Sequence, residues 1–302
     1  MVGRAAVWCS FFITIAWAQA SSGPELPPQT VFRSDSRLVV LNVSILDPEG
    51  KIVSGVRQSD VTVYEDGVKQ NIKIFRQEDV PVSLGLIIDN SASMANKRDR
   101  VNSAALAMVK ASNPRDEVFL IHFDTAAFLS TDFTSNIQQL EKGLQGADAK
   151  GETAMRDALL LSMEHLRHSG KKDKKVLLVV TDGEDNSSIE TLSHLVQAAH
   201  QSDVIIYGIG LLGTEKPESA ERAKKEITVL TQNTGGRSWF PNDVADILRI
   251  TPEIAHEVRN QYIVGYTSTN EAADGSFRKV RVDVHQPDVT VRTRSGYYAP
   301  RQ

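Results

Sequence analysis

The chain has 302 residues, 24% of them charged, and a formal net charge of -4. That balance is ordinary for a water-soluble globular chain, and without a basic face it argues against nucleic acid as a partner. The densest basic run, Lys171-Lys172-Asp173-Lys174-Lys175, sits between a helix pattern and a strand pattern and reads as a solvated loop.

In chain order, the first segment is MVGRAAVWCSFFITIAWAQA. One Arg, an apolar run and the small-x-small ending Ala18-Gln19-Ala20 make the layout of a secretory signal peptide over residues 1–20, too short to span a bilayer comfortably. Cleavage after Ala20 predicts a secreted or periplasmic product, and removes Cys9, the chain's one cysteine. About 280 residues then remain, more than one typical domain needs. Residues 21–36, rich in Pro and Ser, read as a flexible leader.

Residues 37–80 alternate as β-strands. Val61 and Val63, then Ile72 and Ile74, flank Asp66-Gly67, and an Asp-Gly pair between alternating strands signals a type I′ hairpin because both central residues need positive φ. From 81 to 260 the pattern changes to continuous apolar strands alternating with amphipathic helices. Strand patterns at 82–89, 116–123, 175–182 and 203–210 precede helix patterns at 97–110, 137–144, 154–167, 189–200, 218–232 and 244–258. Runs such as Leu177 to Val180 carry no polar alternation, the mark of strands covered on both faces. The expected fold class is α/β, a doubly wound and mostly parallel sheet. Alternating strands return over 261–302, and neither β part has enough strands to stand alone. One β-sandwich built from both parts, interrupted by the α/β block, is the economical solution.

In open parallel sheets ligands bind beyond the carboxyl ends of the strands. Asp89 ends the first strand of the block, in GLIIDNSASM, with Ser91 and Ser93 just beyond it. Asp182, in VVTDGEDNSS, ends another strand, and Thr153, in KGETAMRDAL, opens a helix facing the same edge. Two carboxylates and three hydroxyls suit a hard divalent cation such as Mg²⁺, with Mn²⁺ or Ca²⁺ as alternatives; Mg²⁺ takes about six oxygens at roughly 2.1 Å. So few anions leave the ion under-neutralised, and an incoming carboxylate would relieve it. Taken singly, Ser91, Ser93 and Thr153 could equally be helix caps. Glu184 and Asp185 read as a solvated loop, Asp124 as a turn residue, and Gly235-Gly236 as a helix stop.

Catalytic arrangements are thin. HEVRN at His256 lacks the second His of a zinc protease, and the other helical histidines read as exposed or half-buried. A phosphoryl-transfer site of the haloacid dehalogenase type needs a second Asp two residues after the first, where Ser91 stands. No enzyme is expected.

At these residues the chain resembles the von Willebrand factor A family, whose metal-ion-dependent adhesion site is written D-x-S-x-S, a distant Thr, then a distant Asp: here Asp89, Ser91, Ser93, Thr153 and Asp182. The resemblance covers about 81–260 and implies that Ser91 and Ser93 hold the ion directly. Thr153 would bind directly when the site is engaged, and Asp89 and Asp182 directly or through water. It further implies a protein partner that offers an Asp or Glu carboxylate to the open position. The flanks resemble a bacterial subgroup of secreted proteins in which YEDGVKQ precedes the domain and QYIVGYTS and SGYYAP follow it. The expected function is therefore a secreted metal-dependent protein-binding module; the alternatives are an assembly protein with a purely structural metal, or a metal-dependent hydrolase.

Overall fold

The computed structural model describes residues 38–146 and 148–301, so the signal peptide and leader expected at 1–20 and 21–36 lie outside the described residues. The chain runs β1 (Leu38–Leu46), β2 (Val61–Glu65), β3 (Val68–Gln70) and β4 (Ile72–Gln77) before entering the α/β block. There it continues β5 (Val82–Asp89), α1 (Arg98–Ala111), β6 (Glu117–Phe123), β7 (Ala127–Thr134), α2 (Ile137–Gln145), α3 (Met155–Ser169) and β8 (Lys174–Thr181). Next come α4 (Leu192–Ser202), β9 (Val204–Gly210), α5 (Pro217–Thr234), β10 (Ser238–Trp239) and α6 (Ile247–Asn260). It closes with β11 (Tyr262–Thr267), β12 (Phe277–Val284), β13 (Thr290–Arg292) and β14 (Gly296–Tyr298).

Among the described residues the central sheet has the order β10-β9-β8-β5-β6-β7, parallel except for the edge pair β6 and β7. Alternate side chains of β5 feed two separate cores. Leu84, Leu86 and Ile88 pack with Val101 and Met108 of α1 and Ile250 and Ile254 of α6. Ile87 faces the other way, with Phe119 and Leu177, onto Met155 and Leu159 of α3 and Ile227 of α5. Each such aliphatic side chain contributes about 1.5–3 kcal/mol of burial free energy, which is why the strands carry no polar alternation. Gly85 sits where the Phe119 ring crosses β5; a Cβ there would lie 2.6 Å from Leu177 and closer still to Phe119.

The N- and C-terminal strands complete each other, as expected. One sheet is β13-β1-β11-β4 and the other β14-β12-β2-β3, with β1 antiparallel to β11 and β2 antiparallel to β12. Leu41, Val43, Val63, Tyr262, Val264 and Val282 share one core between them. Asp66 and Gly67 have φ of 49° and 82°, the type I′ geometry their sequence calls for. Glu257 of α6 ties the sandwich to the α/β block, accepting hydrogen bonds from Ser44 of β1 at 2.9 Å, Tyr207 of β9 at 3.0 Å and Arg292 of β13 at 2.7 Å.

Some local expectations are corrected. Lys174 is no part of a solvated loop: it opens β8, is 6% exposed and donates to the Val258 carbonyl of α6. The helix expected from 189 starts at Leu192, because Asp157 accepts from the backbone N–H groups of Ile189 and Glu190 and the Thr191 side chain caps the helix. His200 is buried rather than half-exposed, bonded to Ser295 at 3.1 Å. Gly235 does stop α5, at a φ of 83°.

Candidate functional site

From β5 the chain passes to β6 and β7 on one side; β8, β9 and β10 then build outward on the other. Strand order therefore reverses between β5 and β8, which leaves a crevice at their carboxyl ends where no helix can cover both strands. Asp89 is the last residue of β5 and Asp182 follows the last residue of β8. Ile88 pairs with Val180 in the ladder, so the two carboxylates arrive side by side.

Hydrogen bonds then join the segments. Thr181 Oγ1 donates to Asp89 Oδ2 at 2.6 Å, and the Ser91 backbone N–H to Asp89 Oδ1 at 2.7 Å. Ser93 Oγ donates to Asp182 Oδ1 at 2.7 Å and lies 3.1 Å from Ser91 Oγ. Lys97 Nζ donates to the other oxygen of Asp182 at 2.5 Å and to Thr214 Oγ1 at 3.0 Å. Thr153 Oγ1 is 3.8 Å from the place a Cβ would take on Gly183, the residue after Asp182. The structure thus brings Asp89, Ser91, Ser93, Thr153 and Asp182 to one rim. The hydroxyls are not spent as caps: neither the short 3₁₀ turn Ala92–Met94 nor α1 nor α3 has a side-chain N-cap bond.

The rim is held from behind. Residues 150–153 are pinned to the Asp89 loop by Lys150 N–H on the Asn90 carbonyl at 2.8 Å and Ala92 N–H on the Gly151 carbonyl at 3.3 Å. Gly151 has a φ of 73° and lies against Thr125, a backbone position that suits glycine. The Thr153 carbonyl accepts from the N–H groups of Asn186 and Ser187, while Asn186 Oδ1 accepts from Thr153 N–H at 2.9 Å. Asp185, expected in a solvated loop, is instead 7% exposed and accepts from Arg156 N–H, the Arg156 guanidinium and Ser188. Burial pushes its carboxyl up, but those partners outweigh it and hold it below the usual range. Glu184 pairs with Arg222 at 2.5 Å.

Sequence reasoning missed Lys97, Asn90, His122, Asp185 and Asn186. His122 of β6 is fully buried beside the loop, its Nδ1 2.7 Å from Asn90 Nδ2 and its Nε2 3.1 Å from the Gly143 carbonyl. Burial pushes its pKa down to about 4, so it stays neutral and accepts from the Asn90 side chain. A polar residue amid an apolar strand, as in EVFLIHF, was the one signal available for it. Asp124 is the turn residue expected, accepting from Ala126 N–H at 3.1 Å.

The donor set fits a hard cation. Among the described residues no three His, Cys, Asp or Glu side chains cluster as a metal site, so any ion here must use hydroxyls beside the two carboxylates. Both carboxylates are wholly buried, and among the described residues Lys97 is the one basic side chain ion-paired with either of them. Burial pushes Asp89 up to about 6 against the hydrogen bonds of Thr181 and Ser91, and the Asp182 charge adds to the rise. Positive charge is what this pocket lacks.

Residues 84–184 match the family model for the von Willebrand factor type A domain. The chain is similar to calcium-activated chloride channel regulator 1 of Macaca mulatta, 29% identical over 166 residues, 52% of this chain and 17% of that protein. The Homo sapiens protein of the same name is 28% identical over the same coverage. The chain therefore spans under a fifth of the length of these relatives. Among solved structures, the von Willebrand factor type A protein of Catenulispora acidiphila has a similar fold, with a TM-score of 0.52 at 14% identity, covering 90% of this chain and 76% of that one.

Proposed function

We propose that the protein is a non-catalytic binding module that captures a protein partner by sharing a divalent cation, Mg²⁺ in the first instance, between the rim and a carboxylate of the partner. The observation that carries this reading is the convergence of Asp89, Ser91, Ser93, Thr153 and Asp182, from three separate segments, on the crevice between β5 and β8. Ser91, Ser93 and Thr153 would hold the ion, with Asp89 and Asp182 close by to neutralise it. Bound there, the ion supplies a Lewis-acidic position for a guest oxygen. Domain type supports a protein partner, and no helix of the described residues is long and apolar enough to cross a membrane. The signal-peptide pattern supports a secreted or periplasmic location, in keeping with the bacterial secreted subgroup its flanks resemble.

Isothermal titration with Mg²⁺ and Mn²⁺ tests the site: wild type binds one ion, and the Ser91→Ala/Ser93→Ala variant binds at least tenfold more weakly. Pull-down from native material with and without EDTA tests the partner. Capture that persists unchanged in EDTA refutes the shared-cation reading.

A further inference from the structure

Lys97 occupies an electrostatically awkward place. It precedes α1, where free backbone N–H groups and the helix dipole disfavour a cation. Its side chain is nonetheless 11% exposed, folded inward with Nζ on Asp182 Oδ2 at 2.5 Å and Thr214 Oγ1 at 3.0 Å. The other Asp182 oxygen holds Ser93, so both oxygens are taken, one of them by a cation. A lysine that accepts the unfavourable end of a helix in order to reach a buried carboxylate is there for that carboxylate.

We infer that Lys97 is a tethered counter-ion, held on Asp182 until a divalent cation arrives and displaced by it into solvent. The inference rests on the cation-binding reading above. An ion seated against Ser93 and Asp182 lies within a few ångströms of the ammonium, and two positive charges at that distance repel. The ammonium has a way out: Thr214 is exposed at the end of the short 3₁₀ turn Leu212–Thr214, the lysine stem is flexible and the start of α1 faces water. Ion entry therefore exchanges one cation for another on the same carboxylate. Exchange lowers the affinity for the ion by roughly tenfold relative to a neutral side chain, because about 1.4 kcal/mol of Lys97–Asp182 pairing must be given up as the ion enters. It also keeps the loops ordered without the ion, since Asp182 is never left buried and unpaired.

The test uses the full chain, Lys97→Met, which keeps the apolar stem and removes the charge, and Lys97→Gln as a second variant. In titrations with Mn²⁺ and Mg²⁺ both variants bind roughly tenfold more tightly than wild type. In EDTA they melt below wild type, and saturating Mg²⁺ restores them. An independent measurement needs no variant: acetylation of wild type, followed by mass spectrometry, labels Lys97 slowly in EDTA and several-fold faster in saturating Mg²⁺, while exposed Lys110 is unaffected. Equal affinities in wild type and variants, or a Lys97 labelling rate indifferent to Mg²⁺, overturn the counter-ion role and leave the cation site standing. Absence of ion binding in wild type and variants alike overturns both.

Discussion

Two buried acidic clusters, one in the sandwich and one at the rim, use the same chemistry to opposite ends. Glu65 of β2 is 2% exposed and accepts from Tyr266 and Tyr297 at 2.8 Å, Ser268 at 2.5 Å and Arg278 at 3.3 Å. The Arg278 guanidinium also donates to Ser268 Oγ and to the carbonyls of Asn270 and Ala272. Four strands from both sheets close around that carboxylate, and no valence is left for a guest. At the rim the carboxylates are just as buried, yet Asp182 is balanced by one flexible lysine and an exposed serine. Complete compensation makes a buried acid a structural bolt, whereas partial compensation leaves room for the cation proposed above.

Variants test that contrast, beginning with the largest effect. Arg278→Ala strands Glu65 and should cost about 3–5 kcal/mol in urea unfolding, the loss typical of half a buried ion pair; a cost under about 1 kcal/mol would break the contrast. A third buried charge, Lys174, should show as pH dependence. Burial pushes its pKa down to about 7 against the pull of Glu257, Asp79 and Asp116, while the unfolded chain titrates near 10.5. Between those values the unfolded state binds more protons, so stability rises with pH. The expected gain is about 1–2 kcal/mol from pH 7 to 9, and Lys174→Met should abolish it.

Smaller effects belong to the rim. Asp89→Asn, measured in EDTA, should leave stability unchanged or raise it by about 1 kcal/mol, since it removes a poorly compensated buried charge; in saturating Mg²⁺ the order should reverse. Asp182→Asn in EDTA should cost less than about 1 kcal/mol, because Lys97 can turn to water. If that variant lost as much as Arg278→Ala, the rim would be another bolt.

Much of this was legible in the residues themselves. Unbroken apolar runs such as Leu177 to Val180 revealed a sheet covered on both faces, and Asp66-Gly67 revealed its turn. Carboxylates and hydroxyls at strand ends marked the rim, because strand direction alone places them on one edge. The buried charges were not legible. In KKDKK nothing separates Lys174 from its neighbours, yet it alone faces the end of α6. Asp185 looked like one acid of a solvated loop until Arg156 and Ser188 closed on it.

By itself the sequence determined periodicity, turns and the chemical kind of the rim, since those depend on each residue's intrinsic geometry and its near neighbours. Tertiary structure decided which charges are paired and which remain available. Lys97 and Asp182 are far apart in the chain, and so are Glu65 and Arg278; only folding sets the distance and the dielectric between them, and those two quantities govern the strength of each pair.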